Sequence, residues 1–190
     1  MSSTLLFSRP RKHLRRVAAA AALLAAATAA GQPAAGAIDN TLVPCIDAQQ
    51  IQQVVDQLND VRRGAAPCAA AGAAMQRLSW ESRLAASARE QAMDLAVQDR
   101  LSHVDSRNRS FGTRLRSVGY AAAGAGENLA AGQTDIDDAL QAWLASPSHC
   151  ANLMQPEYRD VGVACMQRRG SRYERFWVAH FGVPASGTRR

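Results

Sequence analysis

Apolar positions recur at helical spacing over the first half of the chain and at strand spacing near its end. From Asp47, the residues Ile51, Val54, Val55, Leu58 and Val61 repeat every three or four positions with Gln and Asp between them. This predicts an amphipathic helix, ended by Gly64 and Pro67. The run 69–74 predicts a loop. A second stripe, Leu84, Ala88, Ala92 and Leu95, predicts a helix to about Gln98, with Ser79 as its cap and Glu81 in its first turn. His103–Ser110 is polar and predicts a loop. Phe111–Val118 predicts a short helix stopped by Gly119. Ala121–Gly126 has the composition of a flexible segment, and Asn128–Ala131 can be extended. Thr134 is the expected cap of a helix whose stripe is Ile136, Ala139, Leu140, Trp143 and Leu144. Ser146-Pro147 breaks it, and Pro147 opens another short helix to about Met154. Tyr158–Met166 and Tyr173–Phe181 are rich in β-branched and aromatic residues. Arg168–Ser171 joins them, with Gly170 in the turn, as a β-hairpin. Helices first and an antiparallel hairpin last predict an α+β domain.

The first 37 residues stand apart from this pattern. Arg9, Arg11, Lys12, Arg15 and Arg16 precede an apolar stretch from Val17 to Ala30, and Ala35-Gly36-Ala37 offers a small-residue cleavage site. That is the layout of a secretory signal peptide. The alternatives are cleavage after Ala29 and twin-arginine export through Arg15-Arg16. Residues 38–47 then form an N-terminal arm, and 183–190 a C-terminal tail. Without the leader, the 22 basic side chains fall to 17 against 16 acidic ones, a net charge of +1. The basic character belongs to the leader, so no nucleic-acid footprint is expected. The expected product is an exported monomer, periplasmic or extracellular, with no membrane span.

All four cysteines, Cys45, Cys68, Cys150 and Cys165, follow the leader. An even count in an exported chain predicts two disulfides. Of the three pairings, the local one is expected: Cys45–Cys68 and Cys150–Cys165. A thiolate zinc site lacks any C-x-x-C.

His103, Glu127 and His149 lie 24 and 22 residues apart. Two imidazoles and a carboxylate suffice to hold a divalent ion with an open position. They equally suit acid–base work with an orienting group. Spacing alone favours ordinary loop histidines. Standard nucleophile and phosphate-binding strings are absent. Cys150 beside His149 reads as a disulfide cysteine. Asn128 and Asn152 suit loop hydrogen bonds, and His180 reads as a satisfied sheet histidine. Trp80, Trp143 and Trp177 read as core or cleft walls.

The order of motifs carries a resemblance. "LNDVRR", "LSWESRLAASAREQAMDLA", "SH", "GENLAAG", "AW", "SPSHCANLM", "YRDVGVAC" and "YERFWVAHFG" succeed one another over residues 48–182. This resembles the CAP superfamily of cysteine-rich secretory, antigen 5 and pathogenesis-related proteins, in its exported bacterial branch. The resemblance implies a three-layer α-β-α sandwich with a small antiparallel sheet between helices. It also implies a cleft gathering His103, Glu127 and His149, with Asn128 beside them. Ser146 stands where many members carry a fourth, acidic residue. A zinc or other divalent ion, held by His103 and His149 with Glu127 nearby, is then expected to bind weakly. Three functions stay open. One is a binding module for a small apolar, lipid-like or cell-envelope ligand. The second is a metal-assisted hydrolase using the trio. The third is an interaction protein with a vestigial cleft. The missing ligand and nucleophile favour binding over catalysis.

Overall fold

Ten elements follow one another in the structure, a computed structural model that describes residues 41–64, 68 and 75–186. They are β1 (Leu42–Pro44), α1 (Ile51–Arg63), β2 (Ser79–Trp80), α2 (Ser82–Gln98), α3 (Phe111–Ser117), β3 (Ala122–Ala131), α4 (Ile136–Ala145), α5 (Pro147–Leu153), β4 (Asp160–Arg168) and β5 (Arg175–Pro184). The leader and the 69–74 loop lie outside the described residues. No helix among the described residues is long and apolar enough to cross a membrane.

The sheet runs β1-β4-β5-β3, antiparallel throughout, and β2 adds to β4 in parallel. The period-2 alternation of its strands sorts two cores. Val161, Val163, Cys165, Trp177, Ala179 and Phe181 face α1, α4 and α5. Ala164, Met166, Phe176, Val178 and Leu129 face the alanine stripe of α2. Gly162 lets α2 lie flush on the sheet, because a Cβ there would collide with the Leu84–Ala85 backbone. The expected α-β-α sandwich is the observed one.

Several local expectations give way to pairing. Ser79 does not cap α2. It is drawn into β2, where its N–H donates to the Arg159 carbonyl at 2.7 Å, and Glu81 becomes the cap, accepting from Arg83 N at 3.0 Å. Asp135 rather than Thr134 caps α4, accepting from Asp138 N at 2.9 Å. The Ala/Gly-rich 122–126 segment is the first half of β3, held extended against the far end of β5. The end of the arm, Leu42–Pro44, is an edge strand on β4.

The cysteine pairing is the largest correction. The bonds are Cys45–Cys165, with Cα atoms 5.1 Å apart, and Cys68–Cys150, at 5.9 Å. β1 runs antiparallel to β4 and delivers Cys45 N to the Cys165 carbonyl at 3.0 Å. Cys165 lies within the sheet while Cys150 lies on α5, so the bond between sequence neighbours does not form. The loops span 120 and 82 residues, so by loop entropy each cross-link stabilises by about 1.5 kcal/mol more than the local bonds would.

Candidate functional site

Glu127 sits on β3 directly opposite His180 on β5. Both side chains share the sheet face covered by α2, and α3 closes over them. Phe111 at the start of α3 packs on the His180 ring, centroids 4.8 Å apart. Arg114, one turn later, is fully buried and donates through Nη2 to Glu127 Oε2 at 2.5 Å. His180 Nε2 lies 2.8 Å from the same oxygen. Glu127 Oε1 meets His103 Nδ1 at 2.7 Å. The carboxylate is 2% exposed, whereas the His103 side chain is 60% exposed.

The electrostatics follow from these contacts. Burial pushes the Glu127 carboxyl up, but the hydrogen bonds from His103 and His180 and the Arg114 charge outweigh it and hold the group at about 2. The hydrogen bond to Glu127 raises His103 above its ordinary value against partial burial. Complete burial lowers His180 despite Glu127. His149 is lowered by burial and further by the charge of His103.

β3 is an edge strand, so residues on its two faces meet at the rim. Glu127 points to the α2–α3 layer and Asn128 to the α4–α5 layer. Asn128 is fully buried and donates to the His149 carbonyl at 3.0 Å, while its oxygen accepts from Asn152 at 2.9 Å. The Tyr158 hydroxyl donates to Asn152 at 2.9 Å. This chain seats α5, and with it His149, against β3. Gly126 is required there, since a Cβ would occupy the space of the Asn152 and Tyr158 oxygens.

The expected residues therefore divide. His103 and Glu127 are hydrogen-bonded, and among the described residues no hydrogen bond joins the His149 ring to them. Asn128 is a strut beneath His149. Ser146 joins α4 to α5, and its hydroxyl lies 3.4 Å from that of Ser148. Arg114 and His180 belong to the cluster; sequence reasoning missed Arg114, and read His180 as a satisfied sheet histidine without naming its partner. His180 is a buried sheet histidine whose partner is Glu127, and the hairpin register carried no signal of it, because the hairpin sets His180 opposite Gly162 while Glu127 comes from β3. Arg114 had none, since an arginine in a short helix ordinarily faces water.

Glu127 is not free to act as a ligand of the implied metal ion, which the His103 and His149 rings would have to hold. Both Glu127 oxygens already accept hydrogen bonds, and a fixed guanidinium charge lies against one of them. Among the described residues no three His, Cys, Asp or Glu side chains converge to hold an ion.

A second feature lies at the opposite sheet edge. β1 and β2 both pair with β4, at Met166–Arg168 and Asp160–Val161 respectively. The stretch between them floors a groove of about 630 Å³. Its walls include Ile46, Ile51, Trp80, Ala86 and Met166, together with the exposed Arg89. It shares no lining residue with the His103–Glu127 cluster.

A family model described as CAP, the cysteine-rich secretory protein family, matches residues 55–181. The Bacillus subtilis protein YkwD is 27% identical over 93 residues, covering 49% of this chain and 36% of that protein. A solved extracellular protein of Bacillus anthracis containing an SCP domain is 27% identical, with a TM-score of 0.57 over 69% of this chain and 39% of that one. An outer surface protein of Borrelia burgdorferi is similar in fold, with a TM-score of 0.62 at 17% identity, covering 76% of this chain and 99% of that one. The chain thus spans less than two fifths of the length of either Bacillus relative.

Proposed function

The chain belongs to the CAP (cysteine-rich secretory protein) family, and from that premise we propose that it is an exported binding module whose apolar groove takes up a small lipid-like ligand. The groove on the β4 edge carries this reading. Its volume of about 630 Å³ falls within the range of small-molecule sites, and its walls are mainly aliphatic with one aromatic plate, Trp80. Burying an alkyl chain there releases on the order of 25 cal/mol per Å² of apolar surface. Export is supported by the two disulfides and by the extracellular location stated for the B. anthracis relative. The hydrolase reading has less support: the His103–Glu127 pair could move a proton, but no nucleophile is bonded to it among the described residues.

Trp80 provides the test. Trp143 and Trp177 are buried, so a ligand in the groove changes the emission of Trp80 first. Titration with long-chain fatty acids or a sterol is expected to give a saturable change. Replacing the exposed Ala86 with Trp fills the groove and is expected to weaken binding at least tenfold. A flat titration, together with native mass spectra free of any co-purified ligand, overturns the proposal.

A further inference from the structure

His103 is gripped twice by the same pair of residues. Glu127 holds its ring at Nδ1. Arg114, bonded to Glu127 through Nη2, uses Nη1 to hold the His103 carbonyl at 3.0 Å and the Arg109 carbonyl at 3.0 Å. The 103–109 loop is thereby fixed at both ends by one buried guanidinium. Asp105 stiffens it further, accepting from Arg107 N at 3.0 Å and from Arg109 N at 2.7 Å. Backbone and ring of His103 are both referenced to the Arg114–Glu127 pair.

The hydrogen-bond direction follows. A carboxylate only accepts, so Nδ1 of His103 must carry the proton. In the neutral ring the lone pair then resides on Nε2. That nitrogen makes no hydrogen bond among the described residues, and the side chain is 60% exposed. An orienting carboxylate behind an imidazole is the arrangement that fixes tautomer and ring angle in proton-transfer sites and metal sites alike. Arg114 weighs between those uses: it occupies Glu127 Oε2 and offsets part of its charge, so the carboxylate is held as an orienting group rather than freed as a ligand, and Nε2 of His103 stays presented.

We infer that Arg114 and Glu127 form one positioning unit that locks His103 as its Nδ1–H tautomer, making Nε2 a metal-independent acceptor for a hydroxyl or amide N–H of a bound ligand. Arg114 and His180 are positioning residues, acting on His103 through Glu127. This site is separate from the apolar groove and stands or falls without it.

The test is nitrogen-15 NMR of the histidine side chains at a pH where they are neutral, on the full exported chain, together with zinc titration by calorimetry. The wild type is expected to show His103 with a protonated Nδ1 and a bare Nε2. Arg114→Met and Glu127→Gln are expected to shift the ring toward the Nε2–H form preferred by free imidazole, and Arg114→Lys to restore part of the lock. Removing the guanidinium releases Glu127, so Arg114→Met is also expected to gain at least tenfold in zinc affinity. Should Arg114→Met not fold, the Lys and Gln variants carry the tautomer comparison. A wild-type Nε2–H tautomer, or a tautomer unmoved in every folded variant, overturns the inference. So does one equivalent of zinc bound by the wild type and lost in Glu127→Gln.

Discussion

Glu127 is the residue on which the local electrostatics turn. Its folded pKa of about 2 lies below the ordinary carboxyl value of 4.5, so the stability it contributes is fully present above 4.5 and is lost as pH falls through 2. The shift corresponds to an energy on the order of 3 kcal/mol. Glu127→Gln leaves Arg114 buried opposite a neutral group and is expected to destabilise the protein at neutral pH by about 3–5 kcal/mol. Urea denaturation from pH 6 to pH 2 is the measurement. The gap between wild type and variant should narrow as the pH drops, and a constant gap would show that Glu127 is not the titrating group. His103 acts with the opposite sign: its contribution is present below the ordinary histidine value and fades as pH rises through its raised folded value. The sequence put His103 and Glu127 forward together. It could not put Arg114 there, because a side chain that spans a buried gap is indistinguishable in sequence from one that points to solvent.

Among the elements, helices were the most legible and β3 the least. The stripes of α1, α2 and α4 recur every 3.6 residues, and their predicted apolar positions are the buried ones, apart from Ile51, Val61 and Leu144 at the margins. β3 begins Ala-Ala-Gly-Ala-Gly, with no β-branched residue to signal a strand. It is extended because β5 supplies its hydrogen-bonding partner and because α5 needs a close approach at Gly126. Gly126→Ala therefore tests the element rather than the site. The methyl group must displace Asn152 and Tyr158, breaking the Asn128–Asn152–Tyr158 chain, at a cost of about 1–3 kcal/mol. The melting temperature should fall by several degrees, and the His149 resonance should move while His103 keeps its tautomer. A variant that melts with the wild type would mean that α5 is not seated through this contact.

At the scale of the whole molecule, the two disulfides tie segments far apart in the chain, Cys45 to β4 and Cys68 to α5. Cys45–Cys165 pins β1 to β4 and so holds one wall of the apolar groove. Replacing both cysteines by Ser is expected to cost on the order of 4–5 kcal/mol by loop entropy. Ligand uptake should weaken as well, since Ile46 loses its anchorage. Calorimetric melting and the Trp80 titration read the two effects separately. If the double variant melted normally and bound normally, β1 would be an ornament of the edge rather than part of the groove.

The amphipathic periods, the terminal hairpin and the order of short motifs are properties of neighbouring residues, and the sequence determined them by itself. The pattern thereby determined the α+β class, while the sandwich and the pairing of His103 with Glu127 followed from the resemblance carried by the motif order, spacing alone having favoured ordinary loop histidines. Tertiary structure alone decided which cysteines meet, that an alanine–glycine run becomes a strand, and that Arg114 and His180 close on Glu127. It also decided that the groove lies at a different edge from the histidines. Each of these depends on contacts between segments far apart in the chain. Their energies come from the partner strand, the covering helix or the buried countercharge, none of which is written into the local pattern.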